Sequence, residues 1–235
     1  MYAERLETTL PAVRARIARA AERAGRDPGA ISLIAVTKSH PFAAVRAALD
    51  AGLRDLGENR VGELAKKRAH FGPVDDVRWH MIGPIQSRKA SELPGLADLV
   101  HSVGRIKVAR KLSQALEAGA RIGVLAQVNT SGEDSKGGFE GARVVEEVLE
   151  VADFDGIRLE GLMTMAPFVE DEAVLRSAFC RLRETLDEVR RHDPEVGSTL
   201  SMGMTNDLEV AIEEGSTMVR IGTALFGERP GFEAR

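Results

Sequence analysis

A chain of 235 residues, 43% hydrophobic and 29% charged, is long enough for one large α/β domain or two small ones and has the balance of a globular protein. A formal net charge of -4 argues against a nucleic-acid partner, although basic residues occur throughout. Cys180 is the single cysteine, which excludes an intrachain disulfide and fits a reducing compartment. The start, Met1-Tyr2-Ala3-Glu4-Arg5-Leu6-Glu7, has no apolar signal core, and no apolar run is long enough to span a bilayer. These features lead us to expect a soluble, cytoplasmic protein.

Residues 3–24 read as an amphipathic helix. Leu6, Leu10, Val13, Ile17 and Ala21 recur at steps of three and four, Arg14, Arg16, Arg19 and Arg23 take other faces, and Gly25 and Pro28 end it. Apolar strands follow near 31–37, 54–57, 77–82, 98–102, 122–129, 157–164, 198–202 and 218–223, mostly separated by stretches long enough for crossover helices. The clearest helix is 170–192, with Val174, Ala178, Leu182, Leu186 and Val189 as its apolar stripe. Its first residues are acidic and its last basic, matching the helix dipole. The poorest crossover helix is 85–92, bracketed by Pro84 and Pro94. No linker or charge block divides the chain, so residues 1–235 are expected to form a single domain. Eight alternating strand–helix units predict a parallel sheet closed into a (β/α)8 TIM barrel, with a doubly wound open sheet as the competing architecture. Little chain remains after the eighth strand, and the N-terminal helix could cover that gap.

Barrel sites lie at the C-terminal ends of strands. Of seven lysines, only Lys38 directly ends a strand, in Ile31-Ser32-Leu33-Ile34-Ala35-Val36-Thr37-Lys38. An amine at the mouth of a buried strand is set where desolvation makes it nucleophilic, the setting for a Schiff base to an aldehyde; the plain alternative is a charged strand end reaching water. Lys66, Lys67, Lys107 and Lys111 read as solvated helix faces, and Lys89 and Lys136 as connecting residues. Ser201-Met202-Gly203-Met204 after the seventh strand and Arg220-Ile221-Gly222-Thr223 at the eighth stand where many barrels bind phosphate, or are simply turn residues. A lysine and a phosphate cradle together describe an aldehyde that carries a phosphate, which fits pyridoxal 5′-phosphate (PLP). Asn59 could bond a ligand or cap the next helix. His80 and His101 suggest a metal pair only weakly, and no metal is expected. Cys180 reads as a packing residue. The polar loop 129–138 could border a ligand but needs none to explain it.

Taken together, Ala35-Val36-Thr37-Lys38, Gly57-Glu58-Asn59, Trp79-His80-Met81-Ile82-Gly83-Pro84-Ile85-Gln86, Val128-Asn129-Thr130-Ser131-Gly132, Gly161-Leu162-Met163-Thr164-Met165, Leu200-Ser201-Met202-Gly203-Met204 and Val219-Arg220-Ile221-Gly222-Thr223-Ala224 resemble the motifs of the PLP homeostasis proteins (YggS/PROSC type), in order from about residue 31 to residue 229. The resemblance implies a barrel like the N-terminal domain of alanine racemase, with PLP as a Schiff base on Lys38. It implies Ser201, Gly222 and Thr223 at the phosphate, Arg220 facing the pyridine nitrogen and Asn59 near the cofactor. It also implies a non-catalytic protein that buffers PLP or supplies it to PLP-dependent apoenzymes, and a monomer is expected. Five positions depart from the family pattern: Arg60, Arg88, Gly104, Thr205 and Asn206. None is expected to touch Lys38 or the phosphate cradle.

The alternative is a PLP-dependent amino-acid racemase, which would need a second base opposite Lys38. The alanine racemases take theirs from a tyrosine of a neighbouring subunit. The only tyrosine here is Tyr2, beside the N-terminus. A Schiff-base aldolase acting on a sugar phosphate and a pure interaction module are more distant readings.

Overall fold

The computed structural model describes residues 1–133 and 136–228. Asp134 and Ser135 of the polar loop, and residues 229–235 of the expected single domain, lie outside the described residues. Eight parallel strands close into a barrel in sequence order: β1 (Ser32–Val36), β2 (Asp55–Glu58), β3 (Arg78–Met81), β4 (Leu99–Val103), β5 (Ile122–Gln127), β6 (Ile157–Met163), β7 (Thr199–Ser201) and β8 (Met218–Ile221). Pairing of β8 with β1 over four registered residues, including Ile34 opposite Arg220, removes the open-sheet alternative. Among the described residues, no helix is long and apolar enough to cross a membrane.

The helices are α1 (Tyr2–Arg23), α2 (Phe42–Asp50), α3 (Val61–Phe71), α4 (Ile106–Ser113), α5 (Val144–Ala152), α6 (Glu172–His192), α7 (Leu208–Glu213) and α8 (Thr223–Phe226). Segment 85–92 forms no α-helix. A 3-10 turn at Ala90–Glu92 crosses from β3 to β4, as expected where two prolines restrict the residues before them. Among the described residues only the four-residue α8 follows β8, and α1 covers the gap, packing on α2, α7 and α8. Its stripe of Leu6, Leu10, Val13, Ile17 and Ala21 is buried. On its outer side Arg16 pairs with Glu209 and Arg23 with Glu213, while the Thr9 hydroxyl donates to the Leu225 carbonyl.

The period-2 geometry of strands sorts side chains between two cores. One face of each strand meets the helices. The other fills the lumen with Ile34, Leu99, Leu125, Met163 and Met218. Two residues further along β1, β4, β5 and β8, the same faces carry Val36, His101, Gln127 and Arg220 towards the C-terminal mouth. The barrel thus changes from apolar to polar along its axis.

Helix α6 corrects the predicted stripe. Ala178, Leu182, Leu186 and Val189 are buried, but their first-turn partner is Leu175, and Val174 is 43% exposed. Val174 instead donates its N–H, with Ala173, to the N-cap carboxylate of Asp171. Cys180 also lies off the stripe. It is half-buried, with its thiol on Glu184 and the Arg183 guanidinium on its sulfur, so it is no core-packing residue. Leu175→Ala is expected to cost about 2–4 kcal/mol in urea unfolding, and Val174→Ala less than about 0.5 kcal/mol.

Candidate functional site

A cavity of about 460 Å³ opens at the C-terminal mouth of the barrel. Val36 and Lys38 reach it from β1 and the turn beyond, Asn59 follows β2, and Arg220, Gly222 and Thr223 come from β8 and its exit. Met165–Phe168 after β6 and Met204–Asp207 after β7 form further walls. Five of the six expected cofactor residues are therefore brought together. Asn59 lines the cavity and makes no side-chain cap; the residue at the N-cap of α3 is Arg60. An added Cβ on Gly83 would lie 2.3 Å from the Asn59 carbonyl oxygen, so this close approach requires glycine. Thr223 is exposed at the rim.

Ser201 is the exception. Its side chain is fully buried and does not line the cavity; its hydroxyl is bonded to Arg220 and His101. Two residues that sequence reasoning did not expect at the site, Thr205 and Asn206, do line it, as does Lys136 of the polar loop that was read as able to border a ligand. The departures at Thr205-Asn206 therefore reach the site that they were expected to spare. Their signal was available, because they lie in the loop directly after β7, where barrels build sites. Lys136 arrives from the loop after β5 and pairs at 3.7 Å with Glu133. Gly203 gives this wall its shape. It has φ +95°, and a Cβ there would lie 2.7 Å from that of Ala211.

Arg220 is a buried cation held by neutral acceptors. Its Nη1 donates to the Ser201 carbonyl and hydroxyl oxygens, both at 2.7 Å, and its Nη2 to the Thr164 carbonyl at 2.9 Å. Burial pushes the guanidinium down to about 10, against the pull of Asp207. Asp207 is itself raised, by burial first, although its carboxylate accepts the Met204 N–H at 2.5 Å.

The turn that carries Lys38 is clamped from outside the barrel wall. Lys67 Nζ on α3 donates to the Thr37 carbonyl at 2.7 Å, to Glu58 Oε1 at 2.8 Å and to Glu63 Oε1 at 2.9 Å. The Thr37 hydroxyl donates to Glu58 Oε1, and the Ser39 N–H donates to Glu63 Oε1 at 2.7 Å. Ser39 has φ +61°, in the left-handed region, so this pinning offsets a backbone cost. Lys67, at 3% exposed, is no solvated-face residue; one ammonium meeting two carboxylates and a carbonyl explains its burial. Glu58 Oε2 has no hydrogen-bond partner among the described residues, and burial pushes the Glu58 carboxyl up to about 7 despite Lys67 and Thr37.

The alanine racemase N-terminal domain model matches residues 9–230. The chain is 47% identical over 219 residues to the pyridoxal phosphate homeostasis protein of Pseudomonas aeruginosa, covering 92% of this chain and 93% of that one. It is 41% identical over 224 residues to the protein of the same name from Escherichia coli K12, covering 94% and 95%. The chain belongs to the pyridoxal phosphate homeostasis family. PipY of Synechococcus elongatus, solved with PLP bound, superposes with a TM-score of 0.82 at 33% identity, over 97% of this chain and all of PipY. A Clostridium difficile alanine racemase shares the fold alone, with a TM-score of 0.77 at 14% identity, over 97% of this chain and 58% of that one.

A carboxyl whose folded pKa is raised above its unfolded value stabilises the protein at low pH and loses that contribution as pH rises through the folded value. For Glu58 the window runs from 4.5 to about 7. Across it, urea unfolding should shift relative stability away from the parent protein and towards Glu58→Gln.

Proposed function

We propose that this chain binds PLP as a Schiff base on Lys38, holds it as a homeostasis carrier and releases it to PLP-dependent apoenzymes, working as a monomer with one PLP-binding domain. The observation that carries this reading is that Lys38 and the buried, neutrally partnered Arg220 line one cavity. The donor set fits the cofactor. A primary amine suits its aldehyde, a guanidinium with spare N–H groups suits the pyridine nitrogen, and glycine backbone with threonine hydroxyls suits its phosphate. The size of the cavity lies within the range of small-molecule sites. When bound, PLP would supply a reactive carbonyl to the lysine amine.

The chain's own residues do the rest. The Lys67 clamp holds the Lys38 turn, Arg220 orients the ring, and Gly222, Thr223 and Thr205 are offered to the phosphate. Ser201, read from sequence as a phosphate donor, contributes instead by holding Arg220. The name shared by the P. aeruginosa and E. coli relatives, and the PLP in PipY, support binding and homeostasis. A carrier suits the site better than the alternative racemase, because Tyr2 lies outside the cavity with its hydroxyl on His40 Nδ1.

After loading with PLP and dialysis, the protein should keep visible absorption that Lys38→Ala loses. A colourless parent protein would overturn PLP binding, and undiminished retention in Lys38→Ala would overturn the Lys38 linkage. Thr223→Val should weaken PLP retention about fivefold, the loss of roughly 1 kcal/mol for a rim hydroxyl donating to phosphate. Loaded protein should reactivate a PLP-dependent apoenzyme in the presence of a trap for free PLP. Vigorous racemisation of an amino acid, abolished by Lys38→Ala, would overturn the carrier reading.

A further inference from the structure

A file of five polar side chains crosses the barrel lumen from one end to the other. Asp55 Oδ1, at the first residue of β2, meets His80 Nε2 at 2.9 Å. His80 Nδ1 meets His101 Nε2 at 2.8 Å between β3 and β4. His101 Nδ1 meets Ser201 Oγ at 2.9 Å, across the lumen to β7. Ser201 Oγ meets Arg220 Nη1 at 2.7 Å. His80, His101 and Ser201 are fully buried, and Arg220 lines the cavity. All four ring nitrogens are occupied, which leaves no lone pair for the metal pair considered from sequence.

The protons in this file can be counted. A guanidinium only donates, so Ser201 Oγ accepts from Arg220 and its own proton must go to His101 Nδ1. His101 then carries its proton on Nε2 and donates to His80 Nδ1. His80 in turn carries its proton on Nε2 and donates to Asp55, which as a carboxylate only accepts. Each link dictates the next. The reverse order would need a proton on Asp55 and would leave the Ser201 O–H without an acceptor among the described residues.

We propose that Asp55, His80, His101 and Ser201 form a one-way hydrogen-bond relay that positions Arg220 at the cofactor cavity. Its cofactor role rests on the PLP reading above; the direction of the relay does not. A hydroxyl that donates to a polarised imidazole becomes a better acceptor, so the carboxylate at the far end strengthens the hold of Ser201 on Nη1. With the Ser201 and Thr164 carbonyls, three of the five guanidinium N–H groups are engaged and two remain for a ligand. The count gives each imidazole one proton, on Nε2. Burial first, and then the positive charge of Arg220 and Arg78, hold His101 well below the ordinary histidine range. Asp55, His80, His101 and Ser201 are positioning residues that act on the cavity through Arg220.

The direct test is long-range proton–nitrogen correlation NMR on 15N-histidine-labelled protein without PLP, with signals assigned from His80→Gln and His101→Gln. Both histidines should be protonated on Nε2 and bare on Nδ1 at neutral pH. A proton on Nδ1 of either ring overturns the relay. The second test is Asp55→Ala, at the opposite end from the cavity. It should mix the two tautomers and weaken PLP binding roughly tenfold with a shifted visible spectrum, while Asp55→Asn, whose amide oxygen still accepts from His80, restores both. Unchanged affinity and spectrum in a folded Asp55→Ala variant overturn the positioning role. A parent protein with both expected tautomers that takes up no PLP supports the relay and overturns the cofactor reading alone.

Discussion

A guanidinium inside a barrel has to be met by acceptors, because an unpaired buried cation costs several kcal/mol. Arg220 is met by carbonyl oxygens of β7 and of the residue after β6, and by one hydroxyl whose own proton is passed on. That requirement organises a polar file through the lumen. Ser201 has to accept, so His101 has to receive, and the chain ends only at the carboxylate of Asp55. The lower layer, where no cation stands, is filled with leucine, isoleucine and methionine. Polarity inside this barrel follows from the placement of one charge.

A second buried charge, on the other side of the wall, sets the lysine. Lys67 is no ligand for the cavity. It ties Thr37, Glu58 and Glu63 into one cluster, and through Thr37 and Ser39 it brackets Lys38 on both sides. Lys38 thus stands on a turn whose carbonyl and N–H groups are occupied, and the turn is held by ions that do not themselves line the cavity. Glu58, with one oxygen unpartnered, is the weak point of that cluster.

An alanine racemase at 14% identity shares this barrel, whereas the relatives at 41% and 47% carry the homeostasis name. The fold alone therefore separates nothing, and function has to be argued from the site. The observations that matter are which side chains the eight strand ends bring into one cavity, and which group could stand opposite Lys38. Tyr2 serves instead to fasten α1 to the turn after β1, edge-on to His40 and Phe226.

The barrel, its eight strands, the covering role of the N-terminal helix and the convergence of Lys38, Asn59, Arg220, Gly222 and Thr223 were legible in the amino-acid order. Apolar periodicity and strand-end position are local properties that survive without coordinates. The polar file was not legible: His80 and His101 read as an isolated pair because their neighbours Asp55, Ser201 and Arg220 stand on other strands. The same holds for Lys67, indistinguishable in sequence from a solvated helix lysine, and for Val174 against Leu175, where adjacent apolar residues leave the buried face of a helix open by one position. Sequence determined which residues face inward, through period 2 and period 3.6. Only the closed sheet decided which inward residues meet, because barrel closure sets Ser201 within 2.9 Å of a histidine one hundred residues away.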